Sequence, residues 1–449
     1  MQQPPMTYSA AIDYLNSLIN YERQDGYDYG SSFKLERIRR VCAELGNPQD
    51  ELNCVHVAGS KGKGSTSAMI QSILSCAGFR TGLYTSPHLV SFRERIRIGK
   101  DMISEDDISA AIGAVSEAAG RLGENPSFFE AITAASYLYF REKKTDFVVF
   151  ETGLGGRLDA TNIITPLVSV ITPLSYEHTH ILGRKLGDIA REKAGIIKEG
   201  SVCVSAPQEK EALDVIARSC REKNSKLILA GRDIISEELG STDAKETFSI
   251  KGISGDYERL ETGLLGPHQV VNAAVAVGSV EALVSRGVNI SAGAIREGLK
   301  EVVWPGRLEV LGKNPYIVLD GAQNAASARA LAVSVKKIFK YKRLVLVMGI
   351  SKDKDIKGML DELLPIAGSI VLTKSKIAER ATETAVMRRL IGGRSSDITE
   401  TAGVGDAVGL AISKASSDDM VLVTGSLFVV GEAGEYLKNS RGAVMAGKS

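Results

Sequence analysis

The sequence predicts an α/β protein with a larger, mostly parallel sheet followed by a smaller α/β unit. Short apolar runs alternate with amphipathic segments up to about residue 230, and the alternation resumes after residue 306. A glycine-rich turn, Gly59–Thr66, joins one apolar run to a helix. Val303–Gly306 fits neither the helical nor the strand spacing of apolar residues. Because 449 residues exceed one ordinary hydrophobic core, we expect domains at 1–302 and 303–449.

The elements of the first domain follow from hydrophobic spacing and from capping signals. Ser104 with Asp107, and Ser127 with Glu130, have the capping-box spacing and should begin two helices. The predicted helices cover about 8–21, 34–45, 63–78, 104–120 and 127–141, and the predicted strands cover about 54–58, 79–84, 147–150 and 168–171. Such short apolar strands are typical of a sheet that is buried on both faces.

The rest of the chain changes character twice. Between residues 231 and 265 polar residues and glycine are frequent, which indicates an irregular or antiparallel patch. Helices should follow over about 268–285 and 291–300. In the second domain, strands are predicted at 316–319, 344–348, 370–373 and 420–423, with helices between them.

Composition excludes several classes of protein. The chain is 44% hydrophobic with a net charge of +1, so no general field attracts nucleic acid or an anionic membrane. It has no apolar run of membrane-spanning length, and residues 1–5 begin no signal peptide, so we expect a cytoplasmic protein. The five cysteines form no C-x-x-C pair and are expected to be reduced and buried.

The turn Gly59–Thr66 carries the strongest chemical signal. Its glycines allow backbone N–H groups to surround a phosphate, and Lys63 supplies a point charge for the terminal phosphates. Ser65 and Thr66 stand where a hydroxyl could reach Mg²⁺. The general Walker A pattern is not met, because Val57 replaces its first glycine and Gly64 directly follows the lysine. The turn is therefore a variant P-loop or a structural turn.

Polar residues also follow the strands after the loop. Glu151 ends an apolar strand, and the carboxyl ends of parallel strands meet at one crevice, so it is the best candidate for a metal ligand rather than a solvated acid. A glycine-rich segment with Arg157 and Asp159 follows it and could approach a ligand. His178 follows the next strand and is either a further metal ligand or polar surface.

Lys193 lies on an apolar helical stripe, between Ile189 and Ile197. It either extends its charge to the surface or is desolvated and reactive as a neutral amine. Three more polar residues, Asn272, Arg307 and Asp320, stand near the domain junction. Each alone is typical of a cap or turn, but together they indicate an interdomain cleft, where ligands usually bind.

Taken in order, these stretches resemble the folylpolyglutamate synthase and dihydrofolate synthase family of the Mur ligase group over nearly the whole chain. The family writes the loop as G-T-x-G-K-G-S, from which Gly59–Ser65 differ chiefly by Ser60 in place of threonine. Further matching segments are 85–89, 92–96, 129–134, 153–162, 192–198, 266–272, 353–355 and 424–427. The resemblance implies a P-loop ATPase domain followed by a Rossmann-like ligase domain.

The resemblance also implies roles for individual residues. ATP would be held by the loop, namely Gly59, Ser60, Lys61, Gly62, Lys63, Gly64, Ser65 and Thr66, together with Asn272, Arg307 and Asp320. Two Mg²⁺ ions would be served by Ser86, Glu151 and His178, and Lys193 would become carbamylated. The catalytic residues would be Lys63, Lys193, His178 and Asp320, and the substrate would contact Arg157, Asp159 and Ala160, whose segment is similar to the bifunctional bacterial form.

Two residues depart from the family pattern. Glu177 replaces an aspartate before His178, and Gln323 replaces the histidine of Asp-Gly-Ala-His-Asn-Pro. Glutamine donates hydrogen bonds but cannot carry a positive charge or transfer a proton as histidine does. If the histidine stabilises charge, activity should fall; if it only positions a group, little should change.

The resulting hypothesis is a monomeric ATP-dependent ligase that adds L-glutamate to a folate, and also to dihydropteroate, through an acyl phosphate. One alternative is a Mur-type ligase for another carboxylate; the roughly 50 residues before the loop are few for the nucleotide-sugar domain it would need. Another is a nucleotide-gated binding module without ligase activity, which Gln323 alone favours.

Overall fold

The first domain is built on an eight-stranded sheet with strand order β4-β3-β2-β5-β1-β6-β7-β8. The computed structural model describes residues 6–22, 30, 33–377 and 380–446; the first five residues, on which the expectation about a signal peptide rests, lie outside these ranges. The strands are β1 Cys54–Ala58, β2 Thr81–Tyr84, β3 Ile96–Ile98, β4 Asp101–Met102, β5 Phe147–Glu151, β6 Val168–Ile171, β7 Val202–Ser205 and β8 Lys226–Leu229. All neighbours pair in parallel except β2–β3 and β3–β4.

The register of the central strands brings three loops together. Strand β1 is fully buried and lies between β5 and β6, with Val57 opposite both Glu151 and Val170. Apolar clusters cover both faces of the sheet. Since the three strands are parallel, their carboxyl ends deliver the glycine-rich loop, Glu151 and the segment after Ile171 to one edge.

Helices surround this sheet, and their starts follow the predicted caps. They are α1 Tyr8–Ser17, α2 Leu35–Glu44, α3 Lys63–Cys76, α4 Glu105–Leu122, α5 Phe128–Glu142, α6 Thr179–Leu182, α7 Leu186–Ala194, α8 Lys210–Glu222, α9 Pro267–Val284 and α10 Ala292–Glu301. The Ser127 and Glu130 capping box is present, and Ser104 caps α4. The first helix is shorter than predicted, because Leu18 is already extended.

The segment after residue 231 forms the antiparallel patch that the sequence indicates. Three strands, β9 Ile235–Ser241, β10 Glu246–Lys251 and β11 Asp256–Thr262, make a separate sheet in the order β11-β10-β9. The buried carboxylate of Glu281 in α9 accepts hydrogen bonds from Ile253 N and Tyr257 OH, which ties this sheet to the first domain. Four cysteines are buried, as expected, but Cys76 at the end of α3 is exposed.

The second domain has a six-stranded sheet in the order β12-β13-β17-β14-β15-β16. Its strands are β12 Glu309–Gly312, β13 Tyr316–Leu319, β14 Leu344–Met348, β15 Ser369–Leu372, β16 Ile398–Glu400 and β17 Met420–Thr424. Its helices are α11 Ala325–Ile338, α12 Ile356–Leu363, α13 Thr384–Ile391, α14 Val404–Lys414 and α15 Leu427–Ala446. The four predicted strands are present, whereas β12, which pairs antiparallel, and β16 carry too few buried apolar residues to be predicted.

The junction between the domains packs directly on the glycine-rich loop. Trp304 lies between α10 and β12, and a Cβ atom on Gly64 would come within 2.9 Å of its indole nitrogen. Arg97 lies over the indole ring, 5.7 Å from its centre. In the described part of the chain, no helix is long and apolar enough to cross a membrane.

Candidate active site

A cavity of about 570 Å³ lies between the carboxyl ends of the two sheets. Most of the site residues predicted from the sequence line it. These are Ser60, Lys61, Gly62, Lys63, Gly64, Ser65, Ser86, Glu151, Asp159, His178, Lys193, Asn272, Arg307 and Asp320. The fold therefore brings together, from both domains, residues that lie up to some 260 positions apart in the chain.

The loop before α3 has the geometry of an anion site. Gly62 precedes the helix with a φ of 84°, and a Cβ atom there would lie 2.3 Å from Asn272 Oδ1, so only glycine fits. The first helical hydrogen bond is from Thr66 N to Gly62 O, so the N–H groups of the preceding helical residues have no acceptor within the helix. Lys63 Nζ donates to Gly59 O at 3.1 Å. Unpaired N–H groups and a lysine at a helix start are suited to phosphate.

Glu151 is a buried carboxylate at the end of β5. Its Oε2 accepts a hydrogen bond from Ser86 N at 3.3 Å, and burial raises the pKa of Glu151 to about 7. None of the ion pairs in the described residues includes Glu151. A buried carboxylate without a paired cation is costly, and a divalent cation would offset that cost.

Lys193 in α7 is also buried, with 2% of its side chain exposed. Its Nζ lies 2.8 Å from Glu177 Oε1 and donates to Gly59 O at 2.7 Å. Burial lowers the pKa of Lys193. The side chain therefore does not extend to solvent. It contacts the glycine-rich loop and pairs with Glu177, the acid that precedes His178.

His178 begins the short helix α6 in the left-handed conformation, with a φ of 46°. Burial lowers the pKa of His178 to about 4, so the imidazole is neutral and able to act as a ligand. Among the described residues, no three His, Cys, Asp or Glu side chains are close enough together to hold a metal ion. A cation at this wall would therefore share its coordination with phosphate oxygens and water, as Mg²⁺ commonly does.

The second domain supplies the opposite wall. Asp320 follows β13, and its carboxylate accepts from Leu308 N and Ala322 N, each at 2.9 Å. Burial raises the pKa of Asp320, and the nearby Arg307 acts in the opposite direction. Lys61 reaches across the cleft and donates to Asn324 Oδ1 at the start of α11. Gln323, beside Asn324, also lines the cavity.

Several predicted residues lie elsewhere. Arg157 pairs with Glu192 and is 51% exposed, and Ala160 is buried in an apolar cluster, so neither lines the cavity. Both residues are turned away from the cavity because Asp159, which lies between them, accepts hydrogen bonds from the backbone N–H groups of Gly153, Leu154 and Thr161. Thr66 points into the core, where its hydroxyl has no partner, and Gly59 contributes only its carbonyl oxygen.

The sequence interpretation assigned no role to two groups of cavity residues, although the matching segment 353–355 includes Lys354. One is cationic: Lys354 and Arg380 both pair with Asp353 at 2.8 Å. Arg380 lies in a loop and carries no local pattern that could identify it. The other group is apolar and aromatic, and comprises Phe33, Phe129, Leu154 and Ile181. Phe129 could have been recognised from the sequence, because it belongs to the matching segment 129–134.

Comparison with known protein families identifies two regions of the chain. The Mur ligase middle domain matches residues 57–280, and the glutamate ligase domain of Mur ligases matches residues 306–427. Both matches lie within the two domains described above, on either side of Trp304.

Whole-length relatives are similar to the chain across both domains. The dihydrofolate synthase/folylpolyglutamate synthase of Bacillus subtilis is 36% identical over 424 residues, which is 91% of this chain and 96% of that protein. The Escherichia coli protein of the same name is 32% identical, over 98% of this chain and 99% of its own.

Solved structures agree with these relatives. The structure of E. coli FolC in complex with DHPP and ADP superimposes with a TM-score of 0.86 at 29% identity, covering 98% of this chain and 99% of that one. Folylpolyglutamate synthase from Thermotoga maritima superimposes with a TM-score of 0.84 at 34% identity, covering 96% and 97%.

Proposed function

Because this chain belongs to the dihydrofolate synthase/folylpolyglutamate synthase family of Mur ligases, we propose that it joins L-glutamate to a folate in an ATP-dependent reaction, and to dihydropteroate as well. The observation that carries the proposal is the single cavity in which Lys63 and Glu151 of the first domain face Arg307 and Asp320 of the second. Such a site holds the nucleotide between two walls, as a domain-closing ligase requires.

The chemistry has two steps. An oxygen of the acceptor carboxylate attacks the γ-phosphorus of ATP, the bond to the β,γ-bridging oxygen breaks, and acyl phosphate and ADP form. The neutral α-amine of glutamate then attacks the acyl carbon, phosphate leaves, and the amine releases a proton. Closure of the domains excludes water, which would otherwise hydrolyse the acyl phosphate.

The first wall has groups suited to the phosphoryl transfer. Lys63 and the free N–H groups of α3 would hold the terminal phosphates of ATP. Two Mg²⁺ ions would take ligands from Ser86, Glu151 and His178 and complete their coordination with phosphate oxygens and water, since Glu151 is buried without a paired cation and His178 is neutral. Bound there, the ions would neutralise the charge that develops on the transferred group.

Two groups of cavity residues suit the two organic substrates. Phe33, Phe129 and Leu154 offer aromatic and apolar surface for a flat pteridine ring. Lys354 and Arg380 bring positive charge from the second domain, which suits the carboxylates of glutamate. The reaction requires the acceptor carboxylate and the amine to meet near the γ-phosphate.

Lys193 is proposed to be carbamylated. Its amine is buried, and burial favours the neutral form that reacts with CO₂. ¹³C NMR after incubation with ¹³C-bicarbonate should give a carbamate signal that is lost in Lys193→Ala. Activity of Lys193→Ala should be partly restored by a short carboxylate. A wild-type spectrum without the signal would mean that Lys193 acts only as the ion-pair partner of Glu177.

The ligase proposal is tested by phosphate release. Release should require ATP, glutamate and an acceptor together, and Lys63→Ala should lower kcat by at least about 1,000-fold. Lys210→Ala is the matched control, because Lys210 also begins a helix but is exposed. Comparing dihydropteroate with tetrahydrofolate decides whether both are acceptors. ATP binding without acceptor-dependent release would instead favour a nucleotide-gated binding module, and release with another carboxylate alone would favour a different Mur-type ligase.

The proposal includes a monomer that works in the cytoplasm. Both walls of the cavity come from one chain, so no second copy is needed to complete the site. Sedimentation at assay concentration should therefore give the mass of one chain, and dilution should leave the specific activity unchanged.

A further inference from the structure

We infer that His56, which lies behind the cavity and does not line it, is a positioning residue for the part of the cavity that binds the acceptor. Through Thr161 it orients Asp159, and Asp159 holds a second loop, Gly153–Gly155, against Phe129. The inference rests on the proposed function, in which the surface around Phe129 and Leu154 binds the pteridine ring of the acceptor.

His56 is a polar residue in an otherwise apolar strand. It lies in the middle of β1, is 0% exposed, and is flanked across the sheet by Phe150 and Ser169. Burial lowers its pKa well below the usual value, so the ring is neutral. A buried imidazole is costly unless it makes a hydrogen bond that the fold uses.

The hydrogen-bond chain has one direction. The hydroxyl of Thr161 has a single proton, which it donates to Asp159 Oδ1. His56 Nε2, at 2.8 Å from the same hydroxyl oxygen, must therefore be the donor, and this assigns the proton to Nε2. The other ring nitrogen, Nδ1, has no hydrogen-bond partner. The ring is therefore oriented by one bond, and that bond leads towards the cavity.

Asp159 passes this orientation on to the loop. Its Oδ2 accepts from Gly153 N and Leu154 N, each at 2.9 Å, and its Oδ1 also accepts from Thr161 N at 3.0 Å. Gly153 lies against Phe129, since a Cβ atom there would come within 2.6 Å of the ring. A shift of the Asp159 carboxylate would therefore move the loop relative to the aromatic surface.

The first test replaces the hydrogen bond while keeping the volume apolar. In His56→Leu, KM for the acceptor should rise about tenfold, which is the effect of losing one bond in a chain that ends on a charge, while KM for ATP stays within about twofold. His56→Gln should recover much of the loss, because its amide N–H can replace Nε2–H. Adding Thr161→Val to His56→Leu should raise KM for the acceptor little further, since both changes break the same chain of hydrogen bonds.

The control is Ser169→Ala, which removes a buried hydrogen bond to Ile196 O from the strand beside His56. It should lower thermal stability without changing KM for the acceptor. If His56→Leu raises both KM values equally, or lowers stability alone as the control does, His56 has only a structural role and the inference is wrong.

A second measurement is independent of turnover. Backbone hydrogen exchange at Gly153 and Leu154 should accelerate at least about tenfold in His56→Leu and stay unchanged in Ser169→Ala. Failure of the wild-type protein to release phosphate would overturn the proposed function, whereas unchanged exchange in His56→Leu would overturn the positioning role.

Discussion

The two walls of the cavity are built differently. On the first wall, the glycine-rich loop, Glu151 and His178 follow three adjacent parallel strands. Glu151 and Lys193 are buried there, and Lys193 is paired to Glu177. On the second wall, Arg307 stands at the domain junction with no hydrogen bond from its guanidinium to any described residue, and Asp320 is held by backbone N–H groups.

This difference indicates a division of labour. Buried charges that depend on one another form a preorganised site, which is the kind of arrangement that stabilises charge in a transition state. A half-buried arginine at a junction contributes mainly when the domains and the ligand come together. Variants of the first wall should therefore lower turnover, and variants of the second wall should weaken nucleotide binding.

The largest effect is expected for Glu151→Gln. The change keeps the volume and removes the charge that would hold Mg²⁺, so kcat should fall on the order of 100-fold or more. Mg²⁺ titration of kcat should also shift to higher concentration. Glu142→Gln, at an exposed helix end, is the control. If Glu151→Gln changed KM for ATP but not kcat, the division between the walls would be wrong.

The first wall was also the easier one to predict. Strand ends in a parallel sheet share one edge, so Lys63, Glu151 and His178 could be grouped from local patterns. The direction in which a side chain points could not be predicted from the sequence. Arg157 follows the same strand as Glu151 but points to solvent, because the hydrogen bonds of Asp159 turn the backbone of this segment away from the cavity. On the second wall, Arg380 was missed, since its place depends on contacts with Asp353 in a distant loop.

An intermediate effect is expected for Arg307→Ala. Removal of this cation should raise KM for ATP about tenfold, the usual value of a charged contact to phosphate, and change kcat by less than about threefold. Arg329→Ala is the control, because Arg329 lies on α11 of the same domain and makes an exposed ion pair with Glu362. A tenfold fall of kcat at saturating ATP would assign Arg307 to the transition state.

The smallest effect is expected for Gln323→His, which brings the segment back to the pattern that the sequence resembles. The cleft beside Gln323 already receives a cation from the first wall, since Lys61 donates to the neighbouring Asn324. Burial lowers the pKa of Lys61 to about 8, so most of it is still charged at neutral pH. An added imidazole would duplicate that charge, and kcat should change by less than about threefold.

The same reasoning predicts a different result when Lys61 is removed. Lys61→Met should lower kcat about tenfold, and adding Gln323→His should recover part of the loss, more at pH 6 than at pH 8, because histidine is charged only at the lower pH. Phosphate release measured across this pH range compares the four proteins. A large gain from Gln323→His alone would mean that Lys61 does not replace the histidine, and that the second wall of this chain lacks a charge that a histidine would supply.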